Sequence, residues 1–136
     1  MAKLAKKQRR MEAQLFLAEG PQAVREALTH RPELVVDIFL TTAARDRHPE
    51  LVTLAQSAGR KISPVSDAVI HHMAETVTPQ GIVAVCQFLS QDLATVLARG
   101  ARHIVVLHEV KDPGNVGNIM RTADAAGADA VVVTAE

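Results

Sequence analysis

The sequence predicts an α/β protein with a largely parallel sheet, and three observations predict it. Short β-branched runs recur along the chain, helix-forming segments of about 8–12 residues separate them, and Pro and Gly punctuate the junctions as helix starts and stops. Leu15-Phe16-Leu17 reads as the first strand. Glu19-Gly20-Pro21 breaks it and sets Pro21 in the first turn of a helix that ends near Leu28. Residues 34–40, LVVDIFL, are a second strand; Pro49 then opens a helix to about Ser57, which Gly59 closes. Lys61-Ile62-Ser63 is a weak strand, Ser66 or Asp67 can cap a helix over 68–75, and Gly81 to Cys86 is a buried strand. A helix over 91–99 stops at Gly100, strand 103–108 runs into Lys111-Asp112-Pro113-Gly114, and a helix from about Asn115 stops at Gly127 before Val131-Val132-Val133. No internal repeat or low-complexity segment interrupts this order. A chain that finishes directly after a buried strand, without the crossover that should follow, reads as an interrupted fold.

Composition narrows the function. Apolar residues make up 48% of the 136, but only three residues are aromatic, so the core is aliphatic and platforms for stacking bases are scarce. Nothing approaches the ~20 uninterrupted apolar residues of a membrane span, and MAKLAKKQRR has charge without the apolar stretch of a secretory signal. A cytoplasmic protein is expected. The lone Cys86 excludes a disulfide framework and a Cys-rich zinc site, and its place in IVAVC marks a buried side chain. Net charge is zero, yet Lys3, Lys6, Lys7, Arg9 and Arg10 stand in the first ten residues without an acid, leaving ten basic residues against all fifteen acids in the remainder. That pattern is a polyanion-binding arm over residues 1–13 on a mildly acidic body, or else a merely solvated tail. Arg25, Arg31, Arg45, Arg47 and Arg60 could extend the basic footprint.

The segment richest in chemistry runs from Val105 to Ala123. It reads as a strand, a tight turn at Asp112-Pro113-Gly114 in which Pro fixes φ and Gly permits a positive φ, and a helix that Asn115 can cap. Capping by Asn115 would leave neighbouring amides able to approach an anion or hydroxyl, in the region beyond a strand's carboxyl end where open α/β sheets bind ligands. Asn118, Arg121 and Thr122 lie three and four residues apart on one helical face, with Ile119, Met120 and Ala123 on the other. Arg121 puts a planar donor fork beside the cleft, suited to a phosphate. Plainer roles stand beside these: Asn115 as a simple cap, Asn118 as a surface amide, Arg121 as a salt-bridge partner of Asp124.

The string DPGNVGNIMRTADAAGADAVVV resembles the first signature motif of the SpoU, or TrmH-like, branch of the SPOUT RNA methyltransferases. Upstream, Phe16-Leu17-Ala18-Glu19-Gly20 with Ala23-Val24 resembles the opening of that family's substrate-recognition domain, and Thr78 to Val85 its closing turn and strand. The resemblance implies a small N-terminal α/β/α RNA-recognition domain over 14–88, a linker and helix over 89–102, and the start of a SPOUT, trefoil-knot methyltransferase domain over 103–136. It implies methyl transfer from S-adenosyl-L-methionine to a ribose 2′-hydroxyl of RNA, most naturally ribosomal. Asn115 and Arg121 take the catalytic positions by the same resemblance. An arginine does not deprotonate readily enough to be a free base, so Arg121 is expected to hold an RNA phosphate and stabilise the developing 2′-alkoxide, with Asn115 orienting it or the ribose. Lys3, Lys6, Lys7, Arg9, Arg10, Asn118 and Glu19 are expected on the RNA side, Glu19 at a base edge or as a cap for the helix after Gly20. The family's cofactor pocket belongs to later knot motifs. This chain by itself is therefore expected to be inactive, a portion of a homodimeric enzyme without the knot helices that make most of the dimer contact.

Other chemistries are poorly supported. His71 and His72 point about 100° apart on a helix, so no metal site is expected, and His108-Glu109 reads as a structural loop. Ser57, Ser63, Ser66 and Ser90 sit in no nucleophile elbow, and Gly114 with Gly117 makes no dinucleotide fingerprint, which disfavours a nucleotide-binding protein. The alternative of a different class is a non-catalytic RNA-binding module, in which the Asp112–Arg121 turn only cradles phosphate.

Overall fold

The computed structural model describes residues 11–89 and 91–134; the basic arm Lys3 to Arg10 lies outside the described residues. The chain divides into two compact units, Met1–Leu89 and Ser90–Glu136.

The first unit is built on strands β1 (Leu15–Glu19), β2 (Val35–Leu40), β3 (Ile62–Pro64) and β4 (Ile82–Gln87), in spatial order β1-β4-β2-β3. This sheet is mixed. β4 runs antiparallel to both β1 and β2, and only β2 and β3 are parallel, which corrects the expectation of a largely parallel sheet. Strand order could not be read from the alternation alone, because the last strand inserts between the first two in sequence rather than adding to an edge. β4 is consequently central and buried on both faces, which explains its unbroken apolar run.

Helices α1 (Pro21–His30), α2 (Thr42–Arg47), α3 (Pro49–Ser57) and α4 (Asp67–Met73) cover the sheet. Val24, Leu28, Ala44, Leu51 and Ala55 pack with Ile38, Leu40, Ile82, Ala84 and Cys86. On the opposite face Ile70 and Met73 of α4 pack with Phe39, Val83 and Val85. The alternating residues of β4 thus feed two cores, giving the expected α/β/α layering. Burying each large aliphatic side chain contributes about 1.5–3 kcal/mol. β2 carries a register shift between Val35 and Asp37, so that Val35 joins Ile38 and Leu40 in one core and Val36 is turned out. The buried Asp37 accepts hydrogen bonds from its neighbour Ile38 N, from Ser63 Oγ and from Lys61 Nζ, tying β3 to the sheet.

The six-residue α2 has no counterpart in the sequence reading, since it is too short to show apolar periodicity. Its one local signal is Thr41, whose Oγ accepts from Ala44 N at 3.2 Å as a helix cap. Helix α4 covers 67–73, shorter than the expected 68–75; Ser66 is its N-cap but makes no side-chain cap bond.

In the second unit α5 (Leu93–Ala98) precedes a βαβ unit of β5 (Ile104–Leu107), α6 (Pro113–Ala125) and β6 (Ala130–Val133). β5 and β6 pair in parallel, Ile104 with Ala130 through Leu107 with Val133. Asp92 caps α5, accepting from Thr95 N at 2.8 Å. Asp129 accepts from the amides of Arg102 and His103, which hold its carboxyl below the usual range and fasten the entries of the two strands together. Because that pKa is depressed, the contribution is present at neutral pH and lost as acid protonates the folded carboxylate. Leu107 and Ala123 are the buried hydrophobics among the described residues of this unit, while Val106 and Val133 stay exposed.

Candidate functional site

The site segment begins where β5 ends. His108 and Glu109 follow Leu107, and Glu109 takes a left-handed φ of 53°. Thr134, just beyond β6, pins this turn: its amide donates to Leu107 O at 3.0 Å, and its hydroxyl lies 3.2 Å from His108 Nδ1. The loop is thereby held at the carboxyl end of the parallel pair, the position at which α/β units present ligand-facing residues. His108 has the structural loop role its sequence context suggested.

The helix start departs from the sequence reading in two ways. Asp112, not Asn115, is the cap: its Oδ1 accepts from Asn115 N at 2.7 Å, while Val116 N donates to Asp112 O at 3.0 Å. A carboxylate at that position satisfies the first-turn donor and complements the positive helix end, so Asp outcompetes an Asn three residues later. Pro113 and Gly114 are helical rather than a turn, and Gly114 does not adopt a positive φ. A Cβ there would meet Asp112 Oδ1 at 3.0 Å, so glycine makes room for the cap. Pro113 has no amide hydrogen and the Asn115 amide is taken, leaving the Gly114 N–H without a partner among the described residues. The open row of amides expected for an anion is therefore not formed. We expect Asp112→Ala to destabilise the second unit by about 1 kcal/mol. Amide hydrogen exchange over 113–118 checks this; unchanged protection there would mean the cap is energetically idle.

Asn115, Asn118 and Arg121 all project from α6 with exposed side chains. At roughly 100° per residue, Asn118 lies between the other two, and Asn115 and Arg121 are about 120° apart around the axis. Arg121 points opposite Ala123, the helix's buried residue, and has neither an acid nor a carbonyl partner among the described residues. The pairing with Asp124 is not made. Thr122 Oγ is committed to Asn118 O at 2.9 Å. Asn118 and Thr122 border a shallow, nearly all-apolar groove with His103, Val105, Ile119 and Ala126; neither Arg121 nor Asn115 lines it. Met120 is 42% exposed, so the inner face is Val116, Ile119 and Ala123, contrary to its expected covering role.

Glu19 belongs to the first unit and does not cap α1, whose N-cap Gly20 has no side-chain bond. Its carboxylate instead accepts from Glu75 N at 2.7 Å and Thr76 N at 3.2 Å, holding the loop 74–80 beside the β1–α1 turn. That role could not be found by spacing, since the partners are over fifty residues away. Of the arginines, Arg25 pairs with Glu50 and Arg31 with Glu33, whereas Arg60 bonds the carbonyls of Ala58 and Val35. Cys86 is buried, and burial pushes its thiol pKa up, so it is a core residue and not a nucleophile. Among the described residues no group of three His, Cys, Asp or Glu side chains could hold a metal, and no helix is long and apolar enough to cross a membrane.

An α/β/α unit followed by a βαβ unit, with an exposed arginine on the crossover helix, defines a two-part α/β protein. The chain belongs to the SpoU family: residues 17–91 match the RNA 2′-O ribose methyltransferase substrate-binding family and residues 102–136 the SpoU rRNA methylase family. It is 37% identical over 131 residues to the 23S rRNA (guanosine(2553)-2′-O)-methyltransferase RlmP of Bacillus subtilis, covering 96% of this chain and 48% of that protein. It is 34% identical over 118 residues to the 23S rRNA (guanosine-2′-O-)-methyltransferase RlmB of Bordetella pertussis, covering 83% and 48%. Its structure is similar to the AdoMet-bound rRNA methyltransferase of Sinorhizobium meliloti, with a TM-score of 0.74 and 26% identity over 99% of this chain and 49% of that one. The chain spans about half the length of the curated relatives it matches.

Proposed function

We propose that this chain is the RNA-recognition unit and the opening of the catalytic domain of a ribosomal RNA 2′-O-ribose methyltransferase. The observation that carries the reading is the exposed Arg121 guanidinium, without an intramolecular partner among the described residues, on the helix that follows the carboxyl end of β5. A desolvated ion pair would have removed it from any ligand; an unpaired fork is free for a phosphodiester and for charge on a 2′-oxygen. In this reading Arg121 and Asn115 are the catalytic residues. On the same reading Arg121 holds the RNA backbone and Asn115 orients the ribose, and Asn118, which lies between them around α6, contacts the RNA. Glu19 serves recognition by shaping the loop 74–80, and Lys3, Lys6, Lys7, Arg9 and Arg10 add phosphate contacts.

S-adenosyl-L-methionine supplies the electrophilic methyl group in this chemistry. The described residues of the second unit do not fit it: the groove beside α6 is almost wholly apolar in surface, with His103, Asn118 and Thr122 only bordering it, and no Lys or Arg lines it to bind an amino-acid carboxylate. The donor's pocket is assigned to the part of the relatives' length that this chain does not span, and the whole protein to a cytoplasmic homodimer.

The test compares the 136-residue chain with a protein extended to the relatives' length. Calorimetric titration with S-adenosyl-L-methionine should give no binding to the first and saturable binding to the second. Labelled methyl should then appear on ribose 2′-oxygens of 23S rRNA. If the extended protein binds RNA but neither binds nor consumes the donor, the protein is a non-catalytic RNA-binding module.

A further inference from the structure

The first unit contains a basic cleft that the catalytic reading leaves unused. It has a volume of about 310 Å³ and opens beside the edge strand β3, with Thr41, Thr42 and Arg45 on one side, Gln56 and Arg60 on the other, and Ile62 on the β3 side. Two guanidinium groups, an amide and two hydroxyls meet there, and no carboxylate lines the cleft.

The two arginines differ from their neighbours in what they bind. Arg25 and Arg31 are neutralised by Glu50 and Glu33. Arg45 has no ion-pair or hydrogen-bonded side-chain partner among the described residues, although Asp46 is next to it in sequence. Arg60 is half-buried and spends Nε on Ala58 O and Nη1 on Val35 O, which fixes its plane with several donors still unused. Those carbonyl bonds leave it without an acidic hydrogen-bond or ion-pair partner among the described residues. Arg60 also acts through space on Glu33, whose carboxyl is lowered first by its hydrogen bond to Arg31 and least by Arg60. In a molecule of zero net charge, a concave site with two unneutralised guanidinium groups is an anion site.

We propose that this cleft seats a backbone phosphate of the substrate RNA, with Arg60 as the fixed fork, Arg45 as the mobile cation and Thr42 as a hydroxyl donor. The inference rests on the reading of an RNA-modifying protein and names one point where the recognition unit grips its substrate. A phosphodiester is the favoured source, since the cleft has no aromatic wall on which a free nucleotide's base could stack.

The experiment measures binding of a 23S rRNA transcript to the full 136-residue chain across a salt series. Arg45→Gln should weaken binding several-fold and reduce the slope of log affinity against log salt by about one, the signature of one lost phosphate contact. Arg45→Lys should keep the slope, and Arg25→Ala, which touches an ion-paired arginine outside the cleft, should leave slope and affinity unchanged. An Arg45→Gln chain with the parent slope overturns the proposal, as does an equal loss in Arg45→Lys, which would make the effect one of packing. Titration with inorganic phosphate at constant ionic strength separates the sources. Saturable shifts of the Thr42 and Arg45 amides, with RNA slopes unaffected by Arg45→Gln, would mean a free-anion site instead. Absence of any RNA binding by the parent chain would instead count against the RNA-recognition reading itself.

Discussion

Replacing Arg121 with alanine in the protein extended to its relatives' length is expected to lower single-turnover methylation by about 100- to 1,000-fold, the loss typical of removing one preorganised charge stabiliser. The fold should be indifferent. Arg121 is exposed, faces away from Ala123 and has no partner among the described residues, so its removal should shift stability by no more than about 0.5 kcal/mol. Arg121→Lys separates charge from geometry: it keeps a cation but loses the planar fork, and should recover only part of the rate. Methylation at the parental rate by the alanine variant would remove Arg121 from the catalytic residues. A matching drop in melting temperature would show that the side chain serves the fold of α6.

The largest expected effect on stability is at Gly81. This residue turns into β4 with a φ of +82°, and a Cβ would stand 2.7 Å from Thr41 Oγ and 2.9 Å from the Ala44 Cβ. Thr41 Oγ caps α2, so the side chain cannot swing aside without releasing the Ala44 amide. Gly81→Ala should therefore cost about 3 kcal/mol, of which roughly 1 is backbone strain and the remainder overpacking. Gly59 provides the control. It has a φ of +64° with nothing within 4 Å of a Cβ, so Gly59→Ala should cost the strain alone, about 1 kcal/mol. The chain has no Trp or Tyr, so urea unfolding is followed by far-UV circular dichroism. Equal losses in the two variants would show that the contacts of Gly81 relax freely.

These two positions illustrate how unevenly the sequence reveals the molecule. The placement of Arg121 on a helix after a strand was legible because a strand, a helix start and a basic residue two turns in are all local signals. The cap was misassigned within the same segment because Asp112 and Asn115 are both good cap residues, and only the backbone path decides which side chain faces the first-turn amides. Gly81 announced a turn, but not the reason it must be glycine, since Thr41 and Ala44 are forty and thirty-seven residues away in sequence. The hold of Glu19 on loop 74–80 and the cleft between Arg45 and Arg60 were invisible for the same cause. Short elements such as α2 escape because six residues carry less than two turns of periodicity.

By itself the sequence determined the α/β class, the places where most strands and helices begin and end, the aliphatic core and the motif from Asp112 to Thr122. Those properties depend on side-chain periodicity and on the φ preferences of Pro and Gly, which act within a few residues. The tertiary structure alone decided that β4 lies between β1 and β2, that the sheet is mixed, and which arginines are neutralised and which are free. Strand order and the Arg25–Glu50 pair are set by contacts between segments distant in the chain, and a reading that works within a few residues does not resolve which of the compatible neighbours each segment will meet.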